Sequence, residues 1–236
     1  MTRIFTEILG YGSARSSRNR ALLIALVVAL AIMPMFDQLF WLQDATLAVV
    51  FLACIRSVST SRRRAIVAWT LGILPLFNLV FFNVLPPLLE ELGRALTLPF
   101  FAYTVVVLLK QLMSARSADS GELYGAASTY LLIGLTWGLV YVLLESAVPG
   151  SFMFPDHDAG SGKSLFYFSY VTLVTLGYGE ITPVSEVARS FSVIEAIMGS
   201  LFLTILVARL VGLFTSGQAQ KHKKESDGES VDARVL

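Results

Sequence analysis

Cysteine, histidine and charge are all scarce in this chain of 236 residues. The one cysteine, Cys54, lies in an apolar run, which excludes a disulfide framework and a cysteine metal cluster. The two histidines stand alone in polar segments. Only 15% of the residues are charged, the net charge of +1 gives no reason to expect a nucleic-acid partner, and 55% are hydrophobic. A soluble domain cannot bury so much apolar surface, so we predict a polytopic membrane protein.

Six apolar runs approach the roughly 20 residues that a helix needs to cross a bilayer. They cover residues 21–40, 41–57, 65–84, 95–113, 124–147 and 185–214, with a tight hairpin between Asp37 and Asp44. With six spans, fifteen of the 18 basic residues fall on the side of the chain ends, as expected for cytoplasmic segments. The sequence thus predicts an all-α, multi-pass protein of a cell (inner or plasma) membrane, with six transmembrane helices and cytoplasmic termini.

The first apolar run leaves one alternative open. A basic stretch, the run from Ala21 and the triplet Ala29-x-Ala31 resemble a cleavable signal peptide. Cleavage would leave five spans in the same orientation. The apolar run continues past Ala31, which favours its retention.

Between the fifth and sixth spans lies an apolar segment too short to cross. Residues 164–174 would reach only ~16 Å as a helix, and the glycine loop, residues 175–179, follows directly. Non-helical backbone at membrane depth is tolerated where it lines a watery path or binds an ion. We therefore predict a re-entrant helix and an ion-binding loop between helices five and six.

The residue types of the glycine loop fit a ring of carbonyl ligands for a cation. Pointing successive carbonyls at one axis requires alternating backbone handedness, which Gly177 and Gly179 adopt cheaply. Thr175 adds a hydroxyl, while Leu176 and Tyr178 would turn back to brace the loop against the short helix. One chain supplies one carbonyl at each level, so four chains around an axis are required.

The loop resembles the Thr-Val-Gly-Tyr-Gly-Asp signature of potassium channels, in the two-span pore-module family. Here it reads Thr175-Leu176-Gly177-Tyr178-Gly179-Glu180, and the resemblance extends from about residue 124 to 212. It implies a homotetramer in a lipid bilayer, with K⁺ bound at Thr175, Leu176, Gly177 and Tyr178 and permeating without a cofactor. The tetrapeptide Leu9-Gly10-Tyr11-Gly12 repeats part of the motif but lacks a short membrane helix before it.

The same resemblance suggests roles on the last helix and at the outer mouth. Glu180 would lie at the mouth, Gly199 would be the hinge of an inner gate, and Ser200 and Thr204 would face the water-filled cavity. A small residue for close helix packing is the alternative for Gly199.

Two further residues are candidates for filter support. Phe168 belongs to an aromatic wall on the short helix. Glu195 is an ionisable residue within a span, which makes it a functional candidate. We expect it behind the short helix, held by hydroxyls such as those of Ser169 or Thr172, as a brace rather than a titrating gate. Gly134-x-x-x-Gly138 is expected to pack against the last helix.

The domain organisation follows from these segments. Residues 1–20 form a cytoplasmic segment, 21–116 a four-helix membrane domain, 117–214 a pore domain, and 215–236 a short polar cytoplasmic tail that is expected to be disordered. The fourth span lacks the repeated internal arginines of a voltage sensor. The sequence therefore predicts a six-span, bacterial-type subunit without an Arg-rich sensor.

Other functions remain open at this point. A weakly selective cation channel and a non-conducting sensor or scaffold would share the fold. A membrane enzyme would need a paired nucleophile and base, or histidine and carboxylate ligands within spans, and Glu195 stands alone. A transporter should show broken helices in two related halves, and only one interruption is visible. We expect no enzymatic activity.

Overall fold

The computed structural model describes residues 2–35, 40–80, 87–114, 120–155 and 162–232. Seven helices lie in these ranges, together with one pair of two-residue strands. In chain order they are α1 (Thr2–Met35), α2 (Phe40–Val58), α3 (Arg62–Val80), α4 (Pro87–Met113), α5 (Ser120–Ala147), β1 (Phe152–Met153), α6 (Gly162–Leu173), β2 (Thr182–Pro183) and α7 (Glu186–Asp232). The predicted mostly helical architecture is therefore confirmed, with the short α6 between two long helices.

Two helices extend beyond their predicted ends. α1 begins at Thr2 instead of near Ala21, so the Leu9-Gly10-Tyr11-Gly12 copy is helical. α7 continues to Asp232, so the prediction of a disordered tail is wrong. The added residues of α7 include glutamine, alanine, lysine and glutamate, which have good helix propensity even without an apolar face. Of the hairpin expected between Asp37 and Asp44, residues 37–39 lie outside the described residues, and residues 40–44 belong to α2.

Within the described ranges, three helical segments are long and apolar enough to cross a membrane. They are Ala95–Met113 in α4, Gly121–Ala147 in α5 and Glu186–Arg209 in α7. By contrast, α6 has 12 residues, or ~18 Å of helix, against a hydrocarbon thickness of ~30 Å. These lengths fit a membrane protein in which α6 lies between two spans without crossing.

The first five helices share one apolar core. α1 packs against α2 and α5, and α4 packs against α3 and α5. At its centre, the ring of Phe51 stacks on Phe100 at 4.7 Å, and Phe101 meets Phe100 edge-on at 5.2 Å between centroids. The core thus joins the first four helices to the outer helix of the predicted pore domain.

The two glycines of the Gly134-x-x-x-Gly138 motif contact α6, so the prediction that they pack against the last helix is wrong. A Cβ atom at Gly134 would collide with the ring of Tyr170, and one at Gly138 with the ring of Phe166. The hydroxyl of Tyr170 also donates a hydrogen bond to the carbonyl oxygen of Leu131 at 2.8 Å. Aromatic rings need more room than an aliphatic helix face, and the missing Cβ atoms provide it.

A compact turn connects α5 to the segment before α6. Glu145 accepts hydrogen bonds from the backbone N–H groups of Gly150 (2.7 Å) and Phe152 (3.1 Å). Gly150 has a φ of +82°, the left-handed conformation that glycine adopts without a Cβ penalty. β1 then pairs antiparallel with β2 after the glycine loop, which fixes the two ends of the segment that contains α6 and the loop to each other.

Candidate ion-binding site

The glycine loop leaves the carboxyl end of α6 with its first residues hydrogen-bonded to that helix. The N–H of Thr175 donates to the oxygen of Thr172 at 3.0 Å, and the N–H of Leu176 to that of Val171 at 2.9 Å. A helix carries partial negative charge at this end. The loop therefore begins where the helix dipole favours a cation.

The backbone handedness of the loop alternates, as expected for carbonyls that point to one side. Positive φ angles occur at Thr175 (58°), Gly177 (60°) and Gly179 (86°), with Leu176 and Tyr178 between them. Two of the three are the predicted glycines. Among the described residues, Thr175 is the only one other than glycine with a positive φ, a conformation that costs about 1–2 kcal/mol without glycine. Sequence reasoning missed this strain because threonine gives no signal of it.

Within the described residues, the carbonyl oxygens of the loop have no backbone donor. Residues 174–180 are all exposed in the single chain, and among the described residues no backbone N–H donates to an oxygen of residues 175–179. Unpaired carbonyls at membrane depth cost several kcal/mol each. Such oxygens are neutral, hard ligands, and the arrangement suits a monovalent cation that sheds its water.

The side chains of Leu176 and Tyr178 are largely uncovered in the single chain. They are 52% and 65% exposed, respectively. These values describe a single chain, so the expected bracing of the loop against the short helix stays a prediction.

Phe168 lies behind the loop, on the buried side of α6. Its ring meets those of Tyr141 and Phe152 edge-on, at 5.2 and 5.3 Å between centroids. These ring contacts attach α6 to α5 and β1, so Phe168 positions the helix that carries the loop.

Glu195 is fully buried between α7, α6 and α5. Its Oε1 atom lies 2.6 Å from the Ser169 hydroxyl, and its Oε2 atom accepts a hydrogen bond from the Tyr141 hydroxyl at 2.5 Å. Ser169 Oγ also lies 2.7 Å from the carbonyl oxygen of Gly134. The structure therefore brings Glu195 to Ser169, one of the two hydroxyls named from sequence, and adds Tyr141, which sequence reasoning missed. One side chain from each of three helices meets in this network.

Gly199 lies one turn beyond Glu195 and is also buried. A Cβ atom there would collide with the carbonyl oxygen of Leu173, the last residue of α6. The hydroxyl of Tyr130 donates to the same oxygen at 3.1 Å. This contact is the close packing that the sequence analysis gave as the alternative to a hinge.

Ser200 and Thr204 are exposed on α7, one turn apart. The hydroxyl of Thr204 donates to the carbonyl oxygen of Ser200 at 2.8 Å. This bond from a side chain to the backbone keeps the Thr204 hydroxyl close to its own helix, and both residues lie on the exposed face of α7 in the single chain.

At the far end of the loop, Glu180 contacts α6. The Tyr167 hydroxyl donates a hydrogen bond to its Oε1 atom. Sequence reasoning placed Glu180 at the outer mouth without this partner. The contact connects the end of the loop to the helix on which the loop begins.

Comparison with known proteins assigns residues 129–216 to a family model described as an ion channel. This range contains most of α5, all of α6, the glycine loop and the apolar part of α7. The match therefore covers the site described above and leaves the first four helices unassigned.

Several relatives carry the word potassium in their names. The chain is 30% identical to the voltage-gated potassium channel Kch of Escherichia coli (strain K12), over 64% of this chain and 33% of Kch. It is 34% identical to two pore potassium channel c of Oryza sativa subsp. japonica, over 36% of this chain and 18% of the relative. It is 32% identical to the inward rectifier potassium channel Kirbac3.1 of Paramagnetospirillum magnetotacticum, over 36% of this chain and 27% of the relative. The chain spans a third or less of each relative.

Proposed function

We propose that this chain is a subunit of a potassium-selective channel, and that the glycine loop is its selectivity filter. The alternating φ angles at Thr175, Gly177 and Gly179 carry this proposal. They leave a row of unpaired carbonyl oxygens at the negative end of α6. The match of residues 129–216 to an ion channel family supports the same reading. The proposed function is passive K⁺ conduction, without covalent chemistry.

Four copies of the chain would surround the conduction path. The membrane-crossing part of α7 is largely uncovered in one chain, with Val193, Ile197 and Leu201 each more than half exposed. Lipid can cover one side of such a helix, and neighbouring subunits would cover the other. The exposed side chains of Leu176 and Tyr178 would likewise find their packing partners in the next subunit.

In this arrangement the chain crosses the membrane six times, with both ends in the cytoplasm of the producing cell. Residues 21–116 would form a four-helix domain beside the pore domain of residues 117–214. The fifteen-to-three distribution of basic residues supports that orientation. Ser200 and Thr204 would face the cavity below the filter, and a gate hinge at Gly199 stays a prediction.

Steep voltage dependence is not part of the proposal, although the relative Kch is named voltage-gated. Moving one charge through 100 mV is worth ~2.3 kcal/mol, so a sensor needs several charges on one helix. α4 carries Arg94 and Lys110, sixteen positions apart. Two charges near opposite ends of a helix cannot supply the steep response of a repeated arginine series.

The test is a flux assay with the full chain reconstituted in lipid vesicles. Wild type is expected to take up K⁺ in preference to Na⁺, and Gly177→Ala to lose K⁺ uptake. Gly150→Ala is the matched control, because Gly150 also has a positive φ and open space around it but lies in the turn after α5. Absence of K⁺ uptake by wild type, or equal loss in both variants, would contradict the proposal.

A further inference from the structure

A polar cavity of about 180 Å³ lies at the end of the four-helix domain that is predicted to face the cytoplasm. Its lining comes from α1, the α2–α3 connection, α3 and the end of α4. The lining residues are Arg15, Thr60, Arg64, Lys110, Gln111 and Ser114. The three charged members are all cations, and the remaining three are polar. The composition differs from that of an ordinary helix junction, which is apolar.

Among the described residues, two of the side chains that line this cavity each have a buried nitrogen atom without a hydrogen-bond partner. These atoms are Nε of Arg15 and Nε2 of Gln111. A buried polar atom is nearly always paired, and leaving one unpaired is costly. Arginine has donors and no acceptor, and the amide nitrogen of glutamine is also a donor. Both atoms are donors, so each can pair only with an acceptor.

Both arginine side chains that line the cavity are held in place by hydrogen bonds. Arg15 donates from Nη2 to the carbonyl oxygen of Gln111 at 3.0 Å, which fixes its guanidinium at the end of α4. Arg64 donates from Nη1 to the hydroxyl oxygen of Thr60 at 3.0 Å, and the Thr60 hydroxyl itself donates to the carbonyl oxygen of Val58 at 3.4 Å. Two guanidinium groups held by hydrogen bonds and the side chain of Lys110 thus line one small cavity.

Few negative groups near this cavity would repel a bound anion. Glu122 is buried beside a smaller cavity that shares Arg15 and Gln111, so it offsets one of the three cations. The carboxyl end of α4 also carries partial negative charge. However, the carbonyl oxygen of Gln111 already accepts from Arg15, and that of Lys110 from both the N–H and the hydroxyl of Ser114. Within the described residues, the cavity itself is lined by no carboxylate.

We propose that this cavity binds a phosphate group, which ties α1, α3 and α4 together just before the chain enters the pore domain. Arginine pairs with phosphate through two parallel hydrogen bonds, and such bonds are the stronger, charge-assisted kind. The cavity is smaller than the ~300–1,000 Å³ of sites for drug-sized molecules, which suits one compact anionic group. The phosphate can come from an anionic lipid headgroup or from a soluble phosphate. This site is independent of the proposed ion conduction.

Binding is measured on the full chain in nanodiscs of phosphatidylcholine, at constant ionic strength. One arm titrates dioctanoyl phosphatidic acid and the other titrates inorganic phosphate, each followed by the rise in melting temperature. Saturable binding in the first arm alone assigns the site to a lipid. Saturable binding of inorganic phosphate, with or without the lipid, assigns it to the phosphate group itself. Both results support the proposal, and absence of binding in both arms overturns it.

Variants distinguish binding of phosphate in this cavity from general attraction of anions to a basic surface. Arg64→Gln and Lys110→Gln are each expected to weaken binding about ten-fold or more, because each removes a charged donor. Arg63→Gln is the matched control, since Arg63 is exposed on the same helix and does not line the cavity. Equal weakening by Arg63→Gln would overturn the proposal. Lys110 is exposed, so its variant is expected to fold even if Arg64→Gln does not.

Discussion

Gly199 of α7 lies directly against the main-chain oxygen of Leu173, at the end of the helix that carries the glycine loop. No side chain larger than hydrogen fits between the two helices at this point. Because the two helices touch at this point, a shift of α7 would also move the end of α6, where the proposed filter begins. It also means that a substitution at Gly199 acts on the filter as well as on any hinge.

Gly199→Ala is expected to destabilise the assembled protein by about 1–3 kcal/mol, the usual range for an overpacked contact, and to reduce K⁺ flux. Gly212→Ala is the control, because Gly212 is a helical glycine of α7 with open space around it. Thermal unfolding and vesicle flux measure the two effects. An unchanged stability of Gly199→Ala together with an altered open probability would favour a hinge over the packing role.

Gly138→Ala is expected to push α6 away from α5, since the new methyl group would collide with the ring of Phe166. The variant should unfold at a lower temperature and conduct less. Replacing the ring by a smaller side chain makes room, so Phe166→Leu in the same chain should restore part of both properties. If the double variant is as unstable as the sum of the single variants, the two positions do not interact as the structure shows.

Glu195→Ala is expected to cost about 2–5 kcal/mol of stability, because it opens a cavity and removes the partner of Tyr141 and Ser169. Glu195→Gln keeps the volume and can still hydrogen-bond both hydroxyls, so it should retain most of the stability and the flux. Glu186→Gln, an exposed acidic residue at the start of α7, is the control for loss of charge. A change in the pH dependence of flux in Glu195→Gln alone would contradict a bracing role and assign Glu195 to a titrating gate.

Potassium is expected to stabilise the assembled protein more than sodium does. An ion that binds the assembly and not the separated chains adds ~2.7 kcal/mol at a hundred times its dissociation constant. Native mass spectrometry should show four chains, and their dissociation temperature should rise with KCl beyond its rise with NaCl. Equal effects of the two salts, or a stoichiometry other than four, would contradict carbonyl rings built from four loops.

The parts of the fold that could be predicted from sequence are those set by length and hydropathy. The central part of each apolar run is helical, because in a lipid environment a helix satisfies the backbone hydrogen bonds within the segment itself. The ends of α1 and α7 could not be predicted, since polar residues of good helix propensity give no apolar pattern to follow. Within the described residues, three segments meet the length and composition of a full span.

The site was predictable where backbone chemistry alone selects the residue, as at Gly177 and Gly179. It was not predictable where tertiary contacts decide. Nothing in the sequence relates Tyr141 to Glu195, 54 positions apart, because their meeting depends on how α5 and α7 pack. The same reason explains why Gly134 contacts α6 and not α7.

The central claim is that the glycine loop selects K⁺, and a reversal potential measures this most directly. The reconstituted wild-type protein is placed in a planar bilayer with KCl on one side and an equal concentration of NaCl on the other. Each ten-fold preference for one cation shifts the potential of zero current by about 59 mV. We predict a shift of more than this size in the direction of K⁺ selectivity. A potential near zero, or no current at all, would contradict the account.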